Sequence, residues 1–219
     1  DSLSAISTNA DIDIEIVDFT GQILQLSSAV TIIMQRPDKL YVQRLGAQTD
    51  AEFIFNGEVL TLHGKGRGKG KNVYMQMVRP GSIDDAMNTL ESEIGLDAPG
   101  ADLLLANQDP SIAGDITSSA YLGTVYVNGI ECHHLAFRAA EVDWQLWVQT
   151  GETPLPMKYI ITTKWVAGAP QYSIRFRTWN TTPQIDPGQF TFTAPKGAEK
   201  VEAIPVNGIG ELMIEEGQQ

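Results

Sequence analysis

Two of the three Asn-Gly dipeptides, Asn56-Gly57 and Asn128-Gly129, each divide a pair of short runs in which apolar and polar residues alternate. Asn-Gly readily takes the positive φ angles of a type I′ turn, whose twist suits two antiparallel strands. AEFIF and EVLTLH flank the first dipeptide, YLGTVYV and IECHHLAF the second, so each reads as a hairpin. Weaker forms of the pattern recur along the chain. In DIDIEIV, residues 11–17, Ile12, Ile14 and Ile16 alternate with Asp11, Asp13 and Glu15, the mark of a strand with one wet face. Thr20-Gly21 turns the chain into a strand that runs to about Gln35, and Pro37-Asp38 break it before LYVQRL. NVYMQMV precedes the only change of period, and VDWQLWVQ, PMKYIITTKWV and QYSIRFRTWN follow the second hairpin.

From Ser82 the spacing becomes helical. Ser82 is the expected N-cap with Asp85 as its capping-box partner, and Ile83, Ala86, Met87, Leu90 and Ile94 recur at helical intervals up to a stop at Gly95. A shorter helical stretch is predicted over Ala101 to Asn107, with Leu103, Leu104 and Leu105 together. Strands, a helical insert and more strands thus make one mainly β, α+β domain over 1–204. Residues 205–219 are expected to form a peripheral strand or a flexible tail.

A net charge of −12 over 219 residues argues against nucleic acid as partner, which calls for a concentrated positive surface. No apolar run reaches the roughly 18 residues of a membrane helix. Cys132 is the one cysteine, so no intrachain disulfide is possible. Cys132, His133 and His134 are adjacent, but strand neighbours point to opposite faces, so at most two ligands converge and neither a metal nor another cofactor is expected. The plainer reading is a packed thiol beside hydrogen-bonded imidazoles. Gly-x-Ser-x-Gly is absent, and Asp84-Asp85 is explained by a helix N-terminus. No enzymatic activity is expected.

The segment HGKGRGKGKN, His63 to Asn72, sets Lys65, Arg67, Lys69 and Lys71 among glycines inside an acidic chain. It lacks the phosphate-loop form. It reads either as a hairpin tip or as an arm facing anions such as phospholipid head groups. Two short helices cannot cover both faces of so many strands. The excess of Met, Trp, Phe and Leu therefore suggests a concavity, and methionine suits cavities for flexible chains. Ile32, Met34, Phe53, Met75, Met87, Leu90, Leu104, Leu135, Phe137 and Leu146 are the candidate lining residues.

CHHLAFR (132–138), DWQLW (143–147), PLPMKYIIT (154–162), PQYSIRFRTWN (170–180), RPDKL (36–40), FNGEVLTL (55–62), PGSIDDAM (80–87) and FTFTAP (190–195) together resemble a family of predicted periplasmic proteins of unknown function. That family looks like a branch of the LolA/LolB-like superfamily of lipoprotein carriers. The resemblance, from about Ser2 to Ile204, implies an incomplete antiparallel β-barrel with a helical lid over an apolar cavity, in the periplasm. It implies no catalytic residue. It also implies an opening helix, for which only Leu3 to Ile6 could be a remnant. The function expected is a non-enzymatic periplasmic protein that holds a lipid, an acyl chain or a lipoprotein. The alternative is an envelope protein-interaction or sensor module with a filled core. Oligomeric state is not legible.

Overall fold

The computed structural model describes residues 3–68, 70–96 and 116–206. The stretch expected to be helical at 101–107, with Leu104, together with Lys69 and the tail beyond 206, lies outside the described residues. In chain order the strands are β1 (Ala5–Val17), β2 (Ile23–Gln35), β3 (Lys39–Leu45), β4 (Thr49–Phe55), β5 (Val59–Gly66) and β6 (Asn72–Val78). After them come α1 (Ile83–Thr89) and a π-helical turn, Leu90–Ile94. The later strands are β7 (Ser118–Val127), β8 (Ile130–Arg138), β9 (Val142–Gln149), β10 (Pro156–Thr163), β11 (Gln171–Asn180) and β12 (Glu199–Lys200). They form one sheet in the order β12-β6-β5-β4-β3-β2-β1-β11-β10-β9-β8-β7. The order has two ends, so the sheet is open, and the predicted class holds: mainly β, antiparallel, unclosed, with a helical insert. Two compact units divide the chain, Asp1–Asn9, Ser28–Ala101 and Trp179–Gln219 forming one, Ala10–Ser27 and Asp102–Thr178 the other.

In the first unit the register puts Ile32 opposite Val42 and Met34 opposite Leu40. It puts Phe53 opposite Val42 and Leu62, and Met75 opposite Leu62. These side chains share one face. Leu62, Val73 and Met75 are buried there with Ile204, and Ile94 and Leu96 from the helical insert lie against them. The insert begins where predicted. The Ser82 side chain accepts from Asp85 N at 3.2 Å and Asp85 Oδ2 accepts from Ser82 N at 2.8 Å, closing the capping box. Ile83 N donates to Pro37 O at 2.8 Å and Gly81 N to Gly57 O at 3.1 Å, which pins the helix start to two turns of the sheet. At the far end Gly95 takes φ 71°, and Arg79 holds Glu93 through two nitrogens at 2.6 and 3.1 Å.

The other face of β3–β6 carries Tyr41, Gln43, Glu52, Ile54, Thr61, His63 and Tyr74. The chain after β11 covers part of it. A 3-10 turn at Pro187–Phe190, with Phe190 buried, lies against β3, and the Phe192 ring meets His63 and Tyr74 at 5.6 and 5.0 Å. β12 then pairs parallel with β6, Glu199 opposite Val73, and Ile204 enters the core on the helix side. With both faces covered, the end of β4 loses its alternation: Phe53, Ile54 and Phe55 are all buried.

Two expectations need correction. Only Asn128-Gly129 is the two-residue turn expected, with φ 52° and 79° and Val127 opposite Ile130. At Asn56-Gly57 the loop is longer, since Phe55 pairs with Leu60. The Asn56 side chain accepts from the amides of Glu58 and Val59 at 3.1 and 2.8 Å, which organises Asn56 to Val59 as the loop, and Gly57 alone takes a positive φ, 91°. Secondly, Leu3 to Ile6 is no helical remnant: β1 starts at Ala5. Its inward positions Ile6, Thr8, Ala10 and Ile12 are buried, but small and hydroxyl side chains hid that alternation in the sequence.

Candidate functional site

In the second unit, cross-strand pairing fixes two faces of opposite character. One carries Leu135 opposite Leu146, Phe137 opposite Trp144, Leu146 opposite Tyr159, Trp144 opposite Ile161 and Tyr159 opposite Ile174. Phe137 and Trp144 stack with centroids 3.8 Å apart, and Tyr159 meets Trp144 edge-on at 5.8 Å. Tyr159 and Ile174 are buried, whereas Leu135, Phe137, Trp144, Leu146 and Ile161 are only half-buried. This face is apolar, aromatic and incompletely covered.

The reverse face is polar. Trp147 lies between His134, stacked at 4.2 Å, and Lys158, whose Nζ sits 4.8 Å from the ring centroid. His134 Nε2 contacts Gln145 Oε1 at 2.9 Å. Burial, with the Arg175 charge, lowers the Lys158 pKa. Arg138 and Arg177 pair with Asp143 and Asp11, each at 3.6 Å.

The candidate lining residues fall into two groups. Ile32, Met34, Phe53, Met75 and Leu90 are buried in the first unit, with Met87 half-buried on α1. Leu135, Phe137 and Leu146 share the apolar face of the second unit, and Leu104 lies outside the described residues. Trp144, Tyr159 and Ile161 belong with the second group and were missed. The signal was present, because in DWQLW the first Trp shares a side with Leu146 and the second does not.

The glycine-basic segment forms the β5–β6 connection. Gly66 and Gly70 approach so closely that a Cβ on Gly66 would stand 2.8 Å from Gly70 Cα. Arg67 donates to Asp50 Oδ1 at 2.9 Å and to Gly46 O at 3.2 Å, while Lys65 and Lys71 are exposed. The Cys/His cluster splits as strand geometry requires. Cys132 is buried and its Sγ lies 3.4 Å from Ile130 O. His133 turns to Tyr121, Nδ1 to Oη 3.0 Å, and His134 turns to Trp147. Among the described residues no three metal-ligating side chains converge.

A titratable cluster that the sequence did not reveal sits on the face of β3–β6 that the chain after β11 partly covers. His63, 7% exposed, contacts Glu52 Oε2 through Nδ1 at 2.9 Å and Asn72 Oδ1 through Nε2 at 2.7 Å. Glu52 Oε1 accepts from Tyr41 Oη at 3.0 Å and Gln43 Nε2 at 3.2 Å. An imidazole facing two acceptors donates from both nitrogens only as the cation. The Glu52 bond accordingly raises the His63 pKa, and the same bond lowers that of Glu52. Burial and the Glu52 charge push Tyr41 up to about 12. A two-residue turn at Asn56-Gly57 would have set Glu52 opposite Thr61; the longer loop sets it opposite His63.

Together these features define an open antiparallel β protein whose second unit leaves one apolar face half-covered. A family model described as predicted periplasmic protein (DUF2092) matches residues 1–204, and the chain belongs to that family. The periplasmic placement expected from the sequence is that of the family. No curated protein sequence matches the chain. Among solved structures, lipoprotein LppX of Mycobacterium tuberculosis is similar at 11% identity and a TM-score of 0.48, over 84% of this chain and 90% of that one. A LolA superfamily protein from Nitrosomonas europaea is similar at 10% identity and 0.36, over 87% and 91%. The Pseudomonas aeruginosa MucA/MucB complex is similar at 14% and 0.45, over 87% and 56%. Likenesses this distant carry no argument about the ligand.

Proposed function

We propose that this protein is a non-enzymatic periplasmic binder of lipid, acyl chain or lipoprotein tail, and that the apolar face of β8–β11 holds the hydrocarbon. The carrying observation is the half-burial of Leu135, Phe137, Trp144, Leu146 and Ile161 on one continuous face. Leaving so much aromatic and aliphatic surface in partial contact with water is costly. An alkyl chain laid along it gains about 0.8 kcal/mol per methylene buried, with no directional contact needed. Methionine in the core of the first unit, where Met77, Ile94 and Leu96 pack against the cluster that holds Met75, suits the same use.

Native mass spectrometry of the protein drawn from cells tests the reading. Co-purified lipid is expected, with retention of a labelled fatty acid reduced by Leu146→Asp. A protein that carries no lipid, and binds none when offered fatty acids or lipopeptides, overturns it. A second reading, an envelope protein-interaction module, is favoured by the exposed Tyr121, Leu122 and Tyr126 of β7. Pull-down of an envelope protein by a lipid-free chain would select it.

A further inference from the structure

Two neighbouring loop tips of the second unit hold large apolar side chains out into solvent. Phe19, in the turn between β1 and β2, is 101% exposed, and Trp165, in the turn between β10 and β11, is 74% exposed. Ile23 and Leu24, just past the first turn, are exposed as well. The two loops touch. A Cβ on Gly168 would lie 3.2 Å from Val17 Cγ2 and 3.7 Å from Ile23 Cδ1, and Gln171 N donates to Glu15 Oε2 at 3.0 Å.

Neither tip owes its exposure to a loose backbone. In the first, Asp18 Oδ1 accepts from Thr20 N, Thr20 Oγ1 and Gln22 N at 2.8, 2.7 and 2.9 Å, and Asp18 N donates to Gln22 O at 2.9 Å. In the second, Lys164 N donates to Glu141 O, Ala169 N to Val166 O and Thr163 N to Pro170 O, all within 3.1 Å. The aromatic rings are thus presented by turns whose own hydrogen bonds are closed.

The chemistry of the patch selects its partner. No charged residue occurs from Phe19 to Gln35 or from Trp165 to Ser173. The charges that precede the two tips in sequence are spent locally. Asp18 caps its own turn, Glu15 holds the Gln171 amide, and Lys164 Nζ donates to Ala139 O at 2.5 Å and to Asp143 Oδ1 at 3.3 Å. An uncharged tip of Phe, Trp, Ile and Leu, beside which no unpaired cation stands among the described residues, has nothing to recognise in an anionic head group. It fits the boundary between head groups and hydrocarbon, where amphipathic aromatic rings are favoured.

We propose that the β1–β2 and β10–β11 tips dock the protein on a lipid bilayer, inserting Phe19 and Trp165 at the zwitterionic head-group level without electrostatic attraction. The proposal stands whether or not the protein carries a lipid cargo.

Sedimentation of the full chain with sucrose-loaded phosphatidylcholine vesicles tests it, at low and high salt and with phosphatidylglycerol added. Binding is expected to pure phosphatidylcholine, to survive high salt and to gain nothing from the anionic lipid. Phe19→Ser and Trp165→Ser should each weaken it by at least about tenfold, the effect of withdrawing one large apolar side chain. Tyr126→Ser, an equally exposed change on β7, should alter it by less than about twofold. Both tip residues contact mainly solvent, so either variant suffices if melting shows that the other is unfolded. No vesicle binding by the natural chain overturns the proposal, as does binding that fades with salt or depends on phosphatidylglycerol. Equal losses from Tyr126→Ser and the tip variants overturn it too. So does a dimer that Phe19→Ser dissolves in the absence of vesicle binding, because the patch then belongs to a contact between copies.

Discussion

Glu52→Gln isolates the charge in the His63 cluster while keeping its shape. In the folded chain His63 gains a carboxylate partner, so its pKa is raised from 6.5. A raised pKa contributes stability that is complete below the unfolded value and disappears as pH climbs through the folded one. Glu52 runs the other way: lowered from 4.5, it contributes above that value and loses its contribution as pH falls through its folded pKa. The pair is therefore most stabilising between 4.5 and 6.5. The side chains are 8% and 26% exposed, so solvent does little to screen them. Replacing the carboxylate should cost about 1.5–3 kcal/mol near pH 6, the range for a hydrogen bond to a charged group. For a chain of this size that is a drop of about 3 to 12 °C in melting temperature. Urea and thermal unfolding of natural chain, Glu52→Gln and His63→Gln from about pH 5 to pH 8 supply the measurement. The natural chain should lose stability above 6.5, and the two variants should lack that step. A natural chain whose midpoint is unchanged across the range, or a Glu52→Gln variant with the same slope, would refute the assignment of a charged pair.

Gly57→Ala should destabilise by more than about 1 kcal/mol, since Gly57 has φ 91° and a Cβ there would stand 2.6 Å from Asp38 Oδ2; the urea midpoint reads this directly. Ser82→Ala removes the capping box and should cost about 1 kcal/mol, while Ser82→Asp recovers most of it in the same assay. The Cys132 thiol is fully buried and its pKa is raised by that burial. It should stay silent to a thiol reagent at neutral pH until urea unfolds the chain, and rapid labelling of the folded protein would contradict its placement.

What was legible in the sequence is what short-range rules control. Both hairpins, the capping box at Ser82 and the stop at Gly95 are decided within four or five residues, and all were found. Ile32, Met34, Phe53 and Met75 were picked from the apolar inventory, and it is the strand register that puts them on one face. The first Asn-Gly loop did not, because a side chain that accepts two amides outweighed the dipeptide's turn preference. That displacement of register hid the Glu52–His63 pair. The covering segment after β11 escaped for a different reason. Phe192 and Ile204 lie over β5 and β6, more than a hundred residues earlier, and no local pattern encodes so distant a contact. Arg67 was read only as one of four cations, and its partner Asp50 becomes visible once β4 and β5 are paired.

The little strand β12 decides how copies of this sheet can add to one another. At Val73 and Tyr74 an incoming strand cannot lie along β6, because that place is already taken by Glu199 and Lys200. At the opposite margin β7 has β8 on one side and, among the described residues, no strand on the other. Stacking copies without end requires two receptive borders per molecule, and here one is occupied in part. Two copies that join β7 to β7 consume that border in both molecules, so that mode of association closes as a two-fold pair.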